Sequence, residues 1–132
     1  MSPQKAFFYG TLKKGHYNNI RMGLDNPDVA EFVRPAVIKG MTLVQPTGCP
    51  YPFALESSKE DAKIEGELWI IHDKEVQEYI ERMELGAGYD TIIATTEAGE
   101  QVLMYGILED NHKYSTESLL KNPNFSNFTL KE

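Results

Sequence analysis

Two short stretches of the chain carry residue types and spacings that can do chemistry. The first is Phe7-Phe8-Tyr9-Gly10-Thr11-Leu12-Lys13-Lys14-Gly15. An apolar run ends in an aromatic residue and passes at once into glycine, a hydroxyl and, after two lysines, a second glycine. That order predicts a strand running into a tight loop with exposed backbone N–H groups. Such a loop suits a carboxylate or a developing oxyanion. The same residues also suit a plain strand-to-turn connection with surface lysines. The stretch begins like a phosphate-binding loop, but His16-Tyr17 stand where Lys and Ser/Thr are required, which argues against a nucleotide.

The second stretch is Tyr79-Ile80-Glu81-Arg82-Met83-Glu84-Leu85-Gly86-Ala87-Gly88-Tyr89. Val76, Tyr79, Ile80 and Met83 fall at i, i+3, i+4 and i+7, the apolar stripe of an amphipathic helix. Glu84 follows the last stripe residue, about 100° round the helix. It therefore falls at the margin of the buried face and at the helix C-terminus, where the dipole disfavours a negative charge. Partial burial pushes its pKa in the same direction, upward. A carboxyl so placed takes and returns a proton near neutral pH. A solvated glutamate at a helix end is the competing interpretation.

The remaining reactive residues are less suggestive. His16, His72 and His112 are far apart and lack metal-ligand spacing. Cys49, beside Pro50, has no nucleophile signature and is expected to be a structural or incidental thiol. A single cysteine forms no intrachain disulfide, which fits a reducing cytoplasm. The formal net charge of -7 argues against nucleic acid, which needs a basic footprint. No apolar run approaches the roughly 20 residues that span a bilayer. The N-terminus shows no signal-peptide pattern, so no membrane partner is expected.

The elements that must position these residues read mostly as strands. Residues 5–10 form a buried strand, and residues 13–28 are polar and turn-rich with a short helix around Ile20–Leu24. Residues 29–45 are β-rich, with Pro35 and Gly40 predicting bends or bulges. Phe53–Leu55 is a short strand after a proline-rich loop. In residues 63–72, Ile64, Gly66, Leu68 and Ile70 alternate with Glu65, Glu67, Trp69 and Ile71, and Gly66 predicts close backbone approach or a bulge. Asp73 is the expected N-cap of the helix that Gly86 and Gly88 end. Residues 89–97 and 101–109 read as a hairpin about Ala98-Gly99-Glu100, and a short helix is expected near Ser115–Lys121. One hydrophobic core suits a chain of 132 residues, so residues 1–132 are expected to form a single domain. The fold class is α+β: a small curled antiparallel β-barrel with one or more flanking helices.

Several of these segments, in this order, resemble motifs of the γ-glutamylcyclotransferase-like family, which includes AIG2-like proteins and γ-glutamylamine cyclotransferases. Phe7–Gly15 resembles its opening motif, Tyr51-Pro52 its mid-chain Tyr-Pro, and Ile64-Glu65-Gly66-Glu67-Leu68-Trp69 its Val-x-Gly-Glu-Leu-Tyr strand. Ile80–Gly86 resembles its Leu-Asp-x-x-Glu-Gly, with Tyr89 for the tyrosine that follows, and Val102-Leu103-Met104-Tyr105 its late strand. Glu81 stands in place of Asp, and Leu85 separates Glu84 from Gly86. The resemblance covers about the first 108 residues and leaves the tail from about residue 111 unmatched. It implies that Glu84 is a catalytic acid/base and that Tyr9, Gly10, Thr11 and Leu12 form the substrate loop. Tyr89 and Tyr105 would be wall residues. The implied reaction converts a small γ-glutamyl substrate to 5-oxoproline and a free amine, without metal or cofactor. The alternative is a non-catalytic small-molecule-binding or protein-interaction module on the same fold.

Overall fold

In a computed structural model, which describes residues 4–10, 12–44, 52–57 and 59–111, the chain is a curled mixed sheet with two helices and a separate hairpin. Strand β1 (Gln4–Phe8) leads through the glycine loop to a short helix α1 (Tyr17–Arg21). Strands β2 (Ala30–Lys39), β3 (Met41–Val44), β4 (Phe53–Glu56) and β5 (Lys63–Ile71) follow, then helix α2 (Lys74–Gly86) and strands β6 (Asp90–Thr95) and β7 (Gln101–Gly106). The expected helix near Ser115–Lys121 lies outside the described residues, as do Cys49, Tyr51 and His112.

The main sheet has the order β2-β5-β1-β7-β6, and β3 pairs with β4 alone. It is not wholly antiparallel, because β1 and β7 run parallel. Nor is it the closed barrel that the sequence suggests. The edge strands β2 and β6 do not pair among the described residues. The sheet instead curls until its ends are joined by isolated bonds. Glu97 N–H in the β6–β7 turn donates to Val37 O of β2 at 2.8 Å, and Arg34 of β2 pairs with Glu100. Just past the end of β7, Ile107 N–H donates to Ala54 O of β4, also at 2.8 Å.

The expected interruptions appear where the sequence places them. Pro35 lies in edge strand β2, where its missing N–H costs no central ladder bond, just past a register shift between Phe32 and Arg34. Gly66 lies in β5 against β1: a Cβ there would meet Phe8 O and Phe7 Cζ, both at 2.6 Å. Asp73 caps α2, its side chain accepting from the N–H groups of Glu75 and Val76.

The alternation in β5 does not separate buried from exposed. Ile64 and Leu68 are buried on one face, but Trp69 and Ile71 are buried on the other. The same holds for Phe7 against Ala6 and Phe8 in β1, and for Met104 against Leu103 and Tyr105 in β7. Central strands covered on both faces bury both of their side-chain rows. Ile80 of α2, fully buried, joins the face that carries Phe8, Trp69 and Tyr105.

Candidate active site

The loop after β1 is held from two sides. Lys14 N–H donates to Glu67 Oε1 of β5 at 2.7 Å, and the same oxygen accepts from Trp69 Nε1 at 3.1 Å. Buried Asn19 of α1 donates from Nδ2 to Leu12 O at 2.8 Å. The turn closes through Lys13 N–H to Gly10 O at 3.2 Å. The N–H groups of Gly10 and Leu12 have no partner among the described residues. Thr11, the remaining loop residue singled out by sequence, lies outside the described residues. Gly10 has no positive φ, and a Cβ there would find Pro52 Cγ at 3.5 Å, an ordinary contact. Neither backbone conformation nor crowding by the described residues therefore demands glycine at this position.

This loop and the end of α2 line one cavity of about 220 Å3. Tyr9, Gly10 and Leu12 face it from one side and Met83, Glu84 and Ala87 from another. Glu84 stands in the last turn of α2, its backbone O accepting from Ala87 and Tyr89 N–H groups, both at 3.1 Å. Its carboxyl is partly buried, and this burial pushes its pKa from 4.5 up to about 7. The dipole of α2, negative at this end, acts in the same sense.

Three tyrosines complete the wall. Tyr9 Oη donates to Tyr105 O. Tyr105 Oη accepts from Gln77 Nε2 of α2 at 3.1 Å. Tyr89 Oη donates to Pro52 O at 2.9 Å, and its ring meets Phe53 edge-on with centroids 5.5 Å apart. Burial, reinforced by the negative charge of Glu84, raises the Tyr9 phenol far above its ordinary range. Burial first, then the charge of Glu81, does the same for Tyr105; the Gln77 bond opposes them and the charge of Glu84 adds to them. Both phenols thus stay protonated at neutral pH, whereas Glu84 exchanges its proton there.

The structure therefore brings Tyr9, Gly10, Leu12, Glu84, Tyr89 and Tyr105 to one place. It adds residues that the sequence did not single out. Asn18 and Arg21 of α1 also line the cavity; Pro52, marked in the sequence by the Tyr51-Pro52 motif, lines it too. Asn18 and Arg21 are three apart, the spacing of one helix face. In a five-residue helix among turn-forming residues, that spacing carries no recognisable pattern. Among the described residues no cluster of three or more His, Cys, Asp or Glu is arranged to hold a metal ion. Among the same residues no helix is long and apolar enough to cross a membrane.

Comparison with known proteins agrees with this architecture. An AIG2-like protein from Mus musculus superposes with a TM-score of 0.71 at 20% identity, over 98% of this chain and 90% of that one. An uncharacterised protein from Pyrococcus horikoshii gives a TM-score of 0.60 at 26% identity, over 78% and 76% of the two chains. A structure described as a gamma-glutamyl cyclotransferase gives 0.52 at 18% identity, over 78% and 65%. At such identities the mouse protein and the cyclotransferase speak for the fold. A search of curated proteins gives no match. Residues 6–125 match the family described as gamma-glutamyl cyclotransferase, AIG2-like, a span that runs past the last of the motifs read from sequence. With nearly the whole chain inside that match, the protein belongs to the gamma-glutamyl cyclotransferase, AIG2-like family.

Proposed function

We propose that the cavity catalyses the intramolecular aminolysis of a γ-glutamyl amine or γ-glutamyl amino acid, releasing 5-oxoproline and the free amine. The observation that carries this reading is Glu84, a carboxyl in a tyrosine-walled cavity with its pKa raised to about 7. Glu84 takes a proton from the substrate's α-ammonium. The freed amine attacks the γ-carbonyl carbon of the same molecule, and the carbonyl oxygen becomes an oxyanion. The C–N bond to the departing amine then breaks as the proton held by Glu84 goes to the departing nitrogen and the oxyanion collapses to the lactam carbonyl; the ring nitrogen gives up its second proton to the Glu84 carboxylate so freed, which passes it to the released amine, now an ammonium. Nucleophile and electrophile belong to one molecule, so the site's work is to hold the reactive conformer, which contributes up to about 10 kcal/mol.

The N–H groups of Gly10 and Leu12, without a partner among the described residues, support an anion-holding role for the Tyr9–Leu12 loop, Thr11 included, toward the oxyanion or the α-carboxylate. Gly10 leaves room for the ligand to approach the backbone. The protonated phenols of Tyr9 and Tyr105 are fixed walls and not competing bases. The single cysteine agrees with a reducing compartment such as the cytoplasm.

The test is release of 5-oxoproline from a panel of γ-glutamyl amino acids and γ-glutamyl amines by the purified protein. Turnover of at least one member supports the reading. If 5-oxoproline binds in calorimetry while no member turns over, the protein is a non-catalytic binding module on this fold.

A further inference from the structure

Among the described residues that line the cavity, two are charged: Glu84 and Arg21. Arg21 closes the last turn of α1 and is exposed, whereas Tyr89 and Tyr105 are only 7% and 5% exposed. Arg21, exposed, thus lies on the open side of a cavity whose tyrosine walls are buried. Arg21 also lines a second cleft, with Asp73, Glu75 and Tyr79 among its other residues. The carboxylate of Asp73 is occupied as the α2 cap, accepting at 2.9 Å from Glu75 N–H and at 3.3 Å from Val76 N–H. Among the described residues Arg21 takes part in no ion pair. In a chain of net charge -7, an exposed arginine on the open side of a cavity, with no ion pair among the described residues, is matched to an anion brought by the ligand.

We infer that Arg21 is a specificity-determining residue that binds a carboxylate carried by the departing amine. The inference rests on the proposed cyclisation and adds to it a choice among substrates. To cyclise, a γ-glutamyl group must bring its α-amine to Glu84. Its own α-carboxylate, attached to the same carbon, stays at that inner end. The departing amine lies across the γ-carbonyl, toward the open side that carries Arg21. Asp73 and Glu75 repel an anion that reaches past Arg21 into the second cleft. A short tether between the scissile nitrogen and the carboxylate, as in an α-amino acid, therefore suits the site.

The test uses γ-glutamylglycine and γ-glutamylglycinamide, which match in size and differ in the terminal charge. The wild-type protein is expected to prefer γ-glutamylglycine about 10-fold in kcat/KM, the scale of a charge-assisted hydrogen bond at a partly exposed site. That preference is expected to shrink as salt is added. Arg21→Gln is expected to bring the two substrates to within about twofold of each other, through a higher KM for γ-glutamylglycine. Arg21→Lys, which keeps the charge and loses the fork, is expected to restore part of the preference. A preference that survives in Arg21→Gln overturns the inference. So does a fall in both kcat/KM values with their ratio intact, which would put the α-carboxylate on Arg21. Calorimetric affinities for the same pair keep the question separate from catalysis: absence of turnover across the whole γ-glutamyl panel would sink the cyclisation reading, while equal affinities in the wild type would sink the role of Arg21.

Discussion

Glu84 titrates near neutrality because the cavity, and not an ionic neighbour, sets its proton affinity. The consequence extends to stability. With a folded pKa of about 7 against 4.5, the native state holds a proton that the unfolded chain loses at lower pH. The stability this lends is fully present below about pH 4.5 and is lost as the pH rises through about 7. The whole shift corresponds to at most about 3 kcal/mol. Glu84→Gln, uncharged and nearly isosteric, is therefore expected to gain stability relative to the wild type between about pH 5 and pH 8. Denaturant midpoints at the two pH values check this, and an identical gap at both would contradict it. Gly10 offers a second test at the same scale. With 3.5 Å to Pro52 and no positive φ, Gly10→Ala should fold with a Tm close to that of the wild type. If the glycine exists for the ligand's approach, kcat/KM for a turned-over substrate should still fall, by about 10-fold or more. An unchanged rate would leave Gly10 without a role in substrate binding.

At the scale of elements, Gly66 explains how β5 serves the loop. Its missing Cβ lets β5 lie against the end of β1, where Phe8 O and Phe7 Cζ leave no room for a methyl group. One residue further along β5, Glu67 anchors the loop through Lys14 N–H. Since a backbone oxygen yields little, Gly66→Ala is expected to destabilise the protein by about 2–3 kcal/mol, the upper part of the overpacking range. Thermal unfolding checks this as a Tm lowered by several degrees, and an unchanged Tm would show that the strands part easily. This device was legible in the sequence, as were Asp73 and the α2 stripe, because glycine in a strand, a cap residue and a 3.6 period are local signals. Helix α1 was less so. The short helix was expected near Ile20–Leu24 and runs instead from Tyr17 to Arg21, and its contribution of Asn18 and Arg21 to the cavity had no local mark. Within α2 the stripe overstates burial: Ile80 is buried, but Tyr79 is 46% exposed.

For the whole molecule, the site depends on contacts that no local pattern records. The curl sets the loop after β1 beside the end of α2, separated by more than 70 residues of chain. It does so without closing into a barrel, because β2 and β6 are linked through the β6–β7 turn and not through a ladder. The parallel β1–β7 pairing and the burial of Trp69 and Ile71 on the second face arise from the same long-range order of strands. Composition and alternation specify strands; they do not specify which strands become neighbours. The family motifs supplied what periodicity could not, by bringing Tyr9–Leu12 and Glu84 into one expected site. The proposed role of this union is acid/base catalysis of cyclisation. Its most direct test is 5-oxoproline formation from a turned-over γ-glutamyl substrate, by wild type and Glu84→Gln side by side at about pH 7.5, with both proteins shown to be folded. The variant is expected to lose about 10²–10⁴-fold in kcat; equal rates would remove Glu84 from the mechanism.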